Sequence, residues 1–287
     1  MIAAAYPASR RSGPAQRATR AGSAWSCVLA ILLLAACAGA PKDPQNARLA
    51  QAADYNRRGE AALRQGDHRK ALALYEAALR IDLSVENLDG VAINSINLAR
   101  LHQMLGENAR AHQRLDAVLG GGEIFSREYI AAARLRKAML YQAANDLDAA
   151  ASWAAQTADL CRDSACIWQG TLLNLRARLA LARGDFAAAL TLAGQALGVN
   201  RGRDAREEAA NSLRLQAEAR IGQKEFAAAL APLDEALALD KALGLPERIE
   251  QDLQRLADAH AGLGHVDEAR ALRTRAARVA RQEMKID

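Results

Sequence analysis

Residues 63–79 read LRQGDHRKALALYEAAL. Gly66 separates two runs of good helix formers, and a glycine can take the left-handed backbone conformation that closes a helix. Asp67 comes next, where a carboxylate complements the positive N-terminal end of a new helix. Ala71, five residues after the glycine, is small enough to let two helices approach closely. The stretch therefore predicts the turn and the second helix of a helical hairpin.

The same pattern recurs along the chain. Close copies occupy 181–197 and 221–237, and weaker copies begin at residues 104, 143 and 262. The equivalent turn residues, spaced 39 or 40 residues apart, are Gly66, Gly106, Asn145, Gly184, Lys224 and Gly264. The small residue of each second helix is Ala71, Ala111, Ala150, Ala189, Ala229 or Ala269. One hairpin cannot bury its apolar face alone, so about six units predict a solenoid in which each hairpin stacks on its neighbours.

Composition agrees with an all-α fold. Four of the six prolines lie in the first 44 residues, and alanine, leucine, arginine and glutamate dominate the rest of the chain. These residues have high helix propensity, and strand formers are sparse. With 287 residues and 51% hydrophobic residues, the chain can bury a substantial core.

The repeat resembles the tetratricopeptide repeat. In the first unit the matching aromatic and small positions are Tyr55, Gly59, Gly66, Ala71, Tyr75 and Ala78. The resemblance covers residues 47 to about 281 and implies a right-handed superhelix of antiparallel hairpins. The usual period is 34 residues, so each unit here has five or six extra residues, which we expect to lengthen the helices or the loops between units. Leu83 and Lys241 replace the closing proline, and Arg273 stands where an apolar residue is expected.

The first 36 residues have the parts of a cleaved signal segment. Arginines at positions 10, 11, 17 and 20 precede an apolar run from Ala24 to Ala36, which is shorter than the roughly 20 residues that cross a bilayer. Leu34, Ala35, Ala36 and Cys37 resemble the lipobox of bacterial lipoproteins. The resemblance implies cleavage before Cys37, a lipid anchor on that cysteine and, because Ala38 follows, sorting to the outer membrane with the protein facing the periplasm. Residues 37–46 then form a lipidated tether, and 47–287 form the solenoid.

Removing the signal segment changes the charge balance. The whole chain carries a formal charge of +5. Residues 1–36 hold four arginines and no acidic residue, so 34 basic residues face 33 acidic ones in the remainder. Nothing in this balance favours a nucleic-acid partner.

No catalytic, metal or cofactor site is predicted. The histidines fall in different units, and His260 and His265 have no third ligand nearby. The glycine run at 120–122 has no Lys-Ser/Thr pair after it, so it does not predict a phosphate-binding loop. We therefore expect a protein without enzymatic activity.

Two cysteines remain after the signal segment and the lipidated Cys37 are set aside. Cys161 and Cys166 lie five residues apart, at the junction of the third and fourth units. In an oxidising periplasm we expect a local disulfide between them. The spacing is not Cys-x-x-Cys, which disfavours a redox-active pair.

The resemblance implies that the first helices of the hairpins line a binding groove. Polar residues expected to project into it are Asn56, Arg57, Asn97, Arg100, Arg136, Asn174, Arg178, Arg214 and Arg255. Asparagine both donates to and accepts from a peptide backbone, and arginine binds a carboxylate bidentately. An acidic or carboxylate-ended protein segment would suit this set. The alternative, left open by the sequence, is that these side chains form salt bridges along the stack.

These features predict a membrane-anchored periplasmic scaffold that recruits a peptide or protein partner in envelope assembly, such as pilus, secretion, exopolysaccharide export or cell-wall machinery. The sequence leaves two other functions open. One is an accessory or regulatory subunit of an envelope enzyme. The other is a cytoplasmic helical-repeat regulator whose N-terminus is misassigned.

Overall fold

The computed structural model describes residues 44–162 and 166–281. The chain divides into a unit of Met1–Asn46 and a unit of Ala47–Asp287. The predicted signal segment, the lipobox and Cys37 lie outside the described residues. Within the described ranges all regular structure is helical, with twelve α-helices, one short 3₁₀ helix and no strand. The all-α prediction is confirmed.

The helices form six consecutive hairpins. The first helices are α1 (Pro44–Arg64), α3 (Leu88–Met104), α5 (Arg127–Ala143), α7 (Gln169–Ala182), α9 (Arg206–Gly222) and α11 (Pro246–Gly262). The second helices are α2 (His68–Ser84), α4 (Asn108–Gly120), α6 (Leu147–Leu160), α8 (Phe186–Gly202), α10 (Phe226–Leu243) and α12 (Val266–Ala280). A 3₁₀ helix, Gly122–Ile124, lies between α4 and α5.

The first helices form a row of their own. Successive helices pack against each other along the chain, and first helices of neighbouring hairpins also touch, as α3 touches α5 and α9 touches α7 and α11. The predicted solenoid of stacked helical hairpins is confirmed. Its inner row of first helices is the surface on which a groove can form.

Each hairpin turn ends its first helix in the same way. All six turn residues, from Asn145 at φ 61° to Gly264 at φ 81°, have left-handed backbone. At the first turn, Asp67 N donates to Ala62 O at 2.9 Å, and Gly66 N donates to Leu63 O at 3.0 Å. This bond pair is the Schellman motif, which satisfies the last carbonyls of the helix.

The turns between hairpins also contain a residue with left-handed backbone. Glu86, Asp204 and Gly244 have positive φ at the junctions after α2, α8 and α10. A left-handed residue therefore recurs about every 20 residues along much of the chain, and six of the twelve described α-helices are 17 residues long. The extra residues of the 40-residue period thus lengthen the helices.

Small residues set the distance between paired helices. The alanines at the equivalent point of all six second helices are buried. In the first hairpin Gly59 faces the ring of Tyr75, whose Cε1 would lie 3.0 Å from a Cβ at position 59. Tyr75 is fully buried, and its hydroxyl donates to Glu60 Oε2 at 2.8 Å. The aromatic ring thus packs where the glycine leaves room, and its polar atom is satisfied.

Candidate functional site

Polar side chains connect the hairpins inside the stack. Asn56 Nδ2 of α1 donates to Asn94 Oδ1 of α3 at 3.0 Å. Asn94 is buried and donates in turn to Asp82 Oδ2 at the end of α2, at 2.8 Å. Burial raises the pKa of Asp82, and the hydrogen bonds from Asn87 and Asn94 oppose that rise. The side chain of Asn56 is therefore bonded to the next hairpin.

The fourth and fifth hairpins are joined by a similar network. Ser212 Oγ of α9 donates to Asn174 Oδ1 of α7 at 2.8 Å, and Asn174 Nδ2 donates to Glu208 Oε2 at the same distance. Asn200, at the end of α8, donates to Ser212 Oγ at 3.0 Å. Asn174 is only 2% exposed, so its side chain is not available to a partner in the groove.

Arg214 lies between two buried carboxylates. Its Nε donates to Asp252 Oδ1 of α11 at 2.6 Å, and its Nη2 donates to Asp240 Oδ2 of α10. All three side chains are buried. The structure therefore corrects the sequence prediction at Asn174 and Arg214, because both residues hold neighbouring hairpins together and neither reaches the groove.

Three other predicted residues remain at the surface. Arg57 is exposed and pairs with Asp54 at 3.2 Å, one turn earlier in the same helix. Arg255 of α11 pairs with Glu218 of α9 at 2.9 Å. Asn97 of α3 is half-buried. Arg214 and Arg255 therefore both form salt bridges along the stack, which is the alternative that the sequence left open.

Arg100 and Arg136 differ from these residues. Both are half-buried, on α3 and α5, and neither forms a hydrogen bond or an ion pair with the part of the chain that the structure describes. Burial lowers the pKa of Arg136 to about 10; nearby Arg100 lowers it too, and Glu208 opposes the shift. Two guanidinium groups thus lie near each other without a carboxylate bonded to either.

Arg178 on α7 continues this series. Its Nη2 donates to Asn211 Oδ1 of α9 at 3.1 Å. Burial lowers the pKa of Arg178, and Arg248 lowers it further, while Glu218 and Glu208 raise it. We call Arg100, Arg136 and Arg178 the arginine row, because they stand on three successive first helices.

Sequence reasoning missed the residues that bound this row. Glu208, Asn211, Glu218 and Arg248 all act on Arg178 or Arg136. Glu218 follows Arg178 by one 40-residue period, so a register comparison could have found it. The acidic groups lie on α9, whereas the arginines without a bonded partner lie on α3 and α5. The site suited to an external anion is therefore in the N-terminal half of the row.

The predicted cysteine pair lies beside the junction of the third and fourth hairpins. Cys161 and Cys166 are joined by a disulfide, with Sγ–Sγ 1.99 Å. Cys161 follows the last residue of α6, and Cys166 precedes α7. The bond closes a loop of five positions next to the start of a first helix.

Among residues 44–162 and 166–281, no three histidine, cysteine, aspartate or glutamate side chains are grouped so as to hold a metal ion. In the same ranges, every helix is either too short or too polar to cross a bilayer.

Comparisons with known proteins agree with the repeat architecture. Residues 49–120, which include most of the first two hairpins, match the tetratricopeptide repeat family. No curated protein sequence matches the chain. The fold is therefore a tetratricopeptide-like helical-repeat solenoid, and proteins of this class generally mediate protein–protein interactions.

Several solved structures share the fold. BtubC (BKLC) from P. vanneervenii has 17% identity and a TM-score of 0.55, over 86% of this chain and 94% of its own. A Rap protein in complex with Competence and Sporulation Factor has 15% identity and a TM-score of 0.60, over 80% and 66%. Aspartyl phosphate phosphatase F from Bacillus subtilis has 14% identity and a TM-score of 0.54, over 74% and 57%. At these identities the likeness shows the fold alone.

Proposed function

We propose that this protein is a non-enzymatic scaffold that binds an acidic or carboxylate-ended segment of a protein partner along the arginine row. The observation that carries the proposal is Arg136, which is half-buried near Arg100 and forms no hydrogen bond or ion pair with the described residues. Burial lowers its pKa to about 10. A partly desolvated cation without a bonded counterion costs free energy. A carboxylate from a partner would supply that counterion through a bidentate pair.

The spacing of the row suits an extended segment. Neighbouring packed helices lie about 10 Å apart, and an extended chain rises about 3.3 Å per residue. Arginines on successive first helices would therefore meet carboxylates about three residues apart. The half-buried Asn97, one turn before Arg100 on α3, is placed to bond the backbone of such a segment.

A solved structure gives a precedent for this use of the fold. The Rap protein with a TM-score of 0.60 to this chain was solved with Competence and Sporulation Factor bound. That complex supports the idea that a solenoid of this kind holds a second molecule. The chemistry of the partner proposed here rests on the arginine row.

The proposed location is the periplasmic face of the outer membrane, with a lipid anchor on Cys37. Support comes from the lipobox-like Leu34-Ala35-Ala36-Cys37 and from Ala38. The disulfide between Cys161 and Cys166 fits an oxidising compartment. One acyl chain holds a protein only weakly, whereas two or more hold it stably, so a lipoprotein-type modification would keep the scaffold at the membrane. We place it among envelope assembly systems on this basis.

Metabolic labelling tests the anchor. Cells that make the wild-type protein are fed radiolabelled palmitate, and cells that make Cys37→Ala serve as the comparison. We expect label on the wild type alone and release of the variant from the membrane fraction. An unlabelled, soluble wild-type protein would refute the anchor.

Crosslinking tests the binding surface. Proteins crosslinked to the wild type in cells are compared with those crosslinked to Arg136→Glu/Arg178→Glu. The matched control is Arg69→Glu/Arg176→Glu, because both of these arginines are exposed and the charge change is equal. We expect the double variant in the row to lose partners that the control keeps. Identical partners in all three samples would refute the groove.

A further inference from the structure

Large aliphatic side chains are exposed along one edge of the solenoid. This edge, which we call the junction edge, is where each second helix ends and the next first helix begins. Leu83 and Leu88 flank the junction after α2, Ile124 lies in the junction after α4, and Ile167 precedes α7. Their exposed fractions are 58%, 43%, 57% and 52%. Three consecutive junctions thus each present a side chain that water solvates poorly.

Hydrogen bonds bring these junctions together. Trp168 Nε1, at the start of α7, donates to Glu128 O at the start of α5, at 3.0 Å. Arg203, at the end of α8, donates to Cys166 O at 2.7 Å. These bonds join the junctions after α4, α6 and α8 into one continuous surface, and Ile167 lies between the two contacts along the chain.

The chain enters the solenoid at the same edge. Arg48, near the start of α1, donates from Nη1 to Ser84 Oγ at 3.2 Å, and Ser84 is the neighbour of Leu83. Cys37 precedes Pro44, the first residue of α1, by seven positions. Seven residues span at most about 25 Å when fully extended. A lipid on Cys37 would therefore keep this edge within reach of the bilayer surface.

The opposite edge has a different pattern. This is the edge where the first helices end. In the described part of the chain its large exposed apolar side chains are Met104 and Leu105, at the second hairpin turn, and Val266, at the last one. The other four hairpin turns have no large exposed apolar side chain among the described residues. The run of exposed aliphatic residues over consecutive turns is thus specific to the junction edge.

The charged residues of the junction edge would not attract it to an anionic membrane. The first two junctions carry Glu86, Asp89, Glu123 and Glu128 against Arg127. An anionic lipid surface would repel this part of the edge. Contact with a bilayer would therefore depend on the aliphatic side chains, and it would not require anionic lipid.

We propose that the junction edge is the membrane-facing surface of the protein, with Leu88 and Ile124 inserted at the level of the lipid headgroups. This inference rests on the lipid anchor of the proposed function. Because the helices run from one edge to the other, they would stand steeply on the membrane. The arginine row, which lies in the half of the first helices farther from the junction edge, would then be held above the bilayer and open to the side.

Quenching by lipid tests the orientation. The full lipidated chain is reconstituted into phosphatidylcholine vesicles whose acyl chains are brominated at carbons 6 and 7. Added tryptophans are compared in Ile124→Trp and Leu88→Trp, with Val266→Trp as the matched control, because all three positions are exposed aliphatic residues at or near helix starts. Wild-type fluorescence, from the native tryptophans, is subtracted.

Each outcome decides the proposal. We expect the added fluorescence at positions 124 and 88 to fall by about half, as for a side chain within 5–10 Å of the interface, and position 266 to be unaffected. Vesicle-bound protein with equal or no quenching at the two edges would overturn the orientation and leave the anchor intact. Protein that does not float with the vesicles would refute the anchor, and this inference with it. Binding that needs added phosphatidylglycerol would contradict the apolar contact.

Discussion

Arg214 Nε donates to Asp252 Oδ1 across 2.6 Å, and this bond joins α9 to α11 inside the stack. The same guanidinium also binds Asp240 of α10. One oxygen of each carboxylate, Asp240 Oδ1 and Asp252 Oδ2, is buried without a hydrogen-bond partner. A single guanidinium is therefore bonded to two carboxylates, and the fully ionised triad would carry a net negative charge that the nearby Arg248 opposes without bonding to it.

The triad makes stability depend on pH. Burial raises the pKa of Asp240 from 3.8 to about 7; Arg214 lowers it, and Asp252 raises it further. The folded protein thus keeps a proton that the unfolded chain releases above about pH 4. Its contribution is fully present below pH 4 and is lost as pH rises through about 7. We expect the unfolding free energy to fall by up to about 1.4 kcal/mol per pH unit from this group, as measured by urea denaturation at several pH values.

The variant Asp240→Asn is the control for this effect. The amide has nearly the same shape and does not titrate, so the fall in stability between pH 4 and 7 should become smaller. An unchanged slope in Asp240→Asn would show that other groups cause the pH dependence.

Removing the shared cation should be costly. In Arg214→Met two buried carboxylates lose their partner, and breaking a buried ion pair costs about 3–5 kcal/mol. Arg220→Met on the same helix removes only a surface pair with Glu225, worth about 0–1 kcal/mol. Urea denaturation compares the two variants, and equal losses would contradict the role of the triad.

A glycine of α7 tests the polar network between hairpins. The side chain of Asn200 occupies the place where a Cβ at Gly170 would lie, and Asn200 bonds Ser212 at 3.0 Å. Gly170→Ala must displace that amide, so we expect a loss of about 1–3 kcal/mol. Gly198→Ala in α8 meets open space and should gain about 0.5–1 kcal/mol. Denaturation midpoints that shift in the same direction would rule out this packing.

The turn at Lys224 tests the left-handed termination of the helices. Lys224 has φ 63°, whereas four of the six equivalent positions hold glycine. A left-handed conformation costs a non-glycine residue roughly 1–2 kcal/mol, so Lys224→Gly should raise stability by about 0.5–1 kcal/mol after the added chain entropy. The neighbouring Gln223 has φ −80°, and Gln223→Gly should lower the thermal midpoint. A lower midpoint for Lys224→Gly would be the contrary result.

The repeat architecture could be predicted because its signals are local. A turn residue, an acidic residue after it and an alanine five positions on are all read within a short window, and they recur every 39 or 40 residues. Only the structure shows that the extra residues of the 40-residue period lie in the helices. The turn after α2, with Glu86 at φ 55°, does not stand out in the sequence, because glutamate is a good helix former.

The residues that line the groove could be predicted only in part, because they depend on how each helix is rotated about its own axis. One residue along a helix turns a side chain by about 100°. Asn56, Asn174 and Arg214 each lie ten residues before the turn residue of their own hairpin, and all three bond to the first helix of the next hairpin. Arg178 shares the register of Glu218 instead. The partners of Arg214 lie 26 and 38 residues away, so no local pattern reveals them.

The central claim is that the arginine row binds an acidic segment, and peptide affinity measures it directly. The purified chain is titrated into fluorescein-labelled ten-residue peptides of acidic, neutral or basic composition, each with a free or an amidated C-terminus, and anisotropy is read at two salt concentrations. The variant is Arg100→Gln/Arg136→Gln, and the matched control is Arg69→Gln/Arg176→Gln at exposed positions.

We predict that acidic peptides bind the wild type and the control, and that the row variant binds them about 10- to 100-fold more weakly, since a charge-assisted hydrogen bond contributes about 1.5–3 kcal/mol. Equal affinity for acidic and basic peptides, or equal affinity of the row variant and the wild type, would contradict the account.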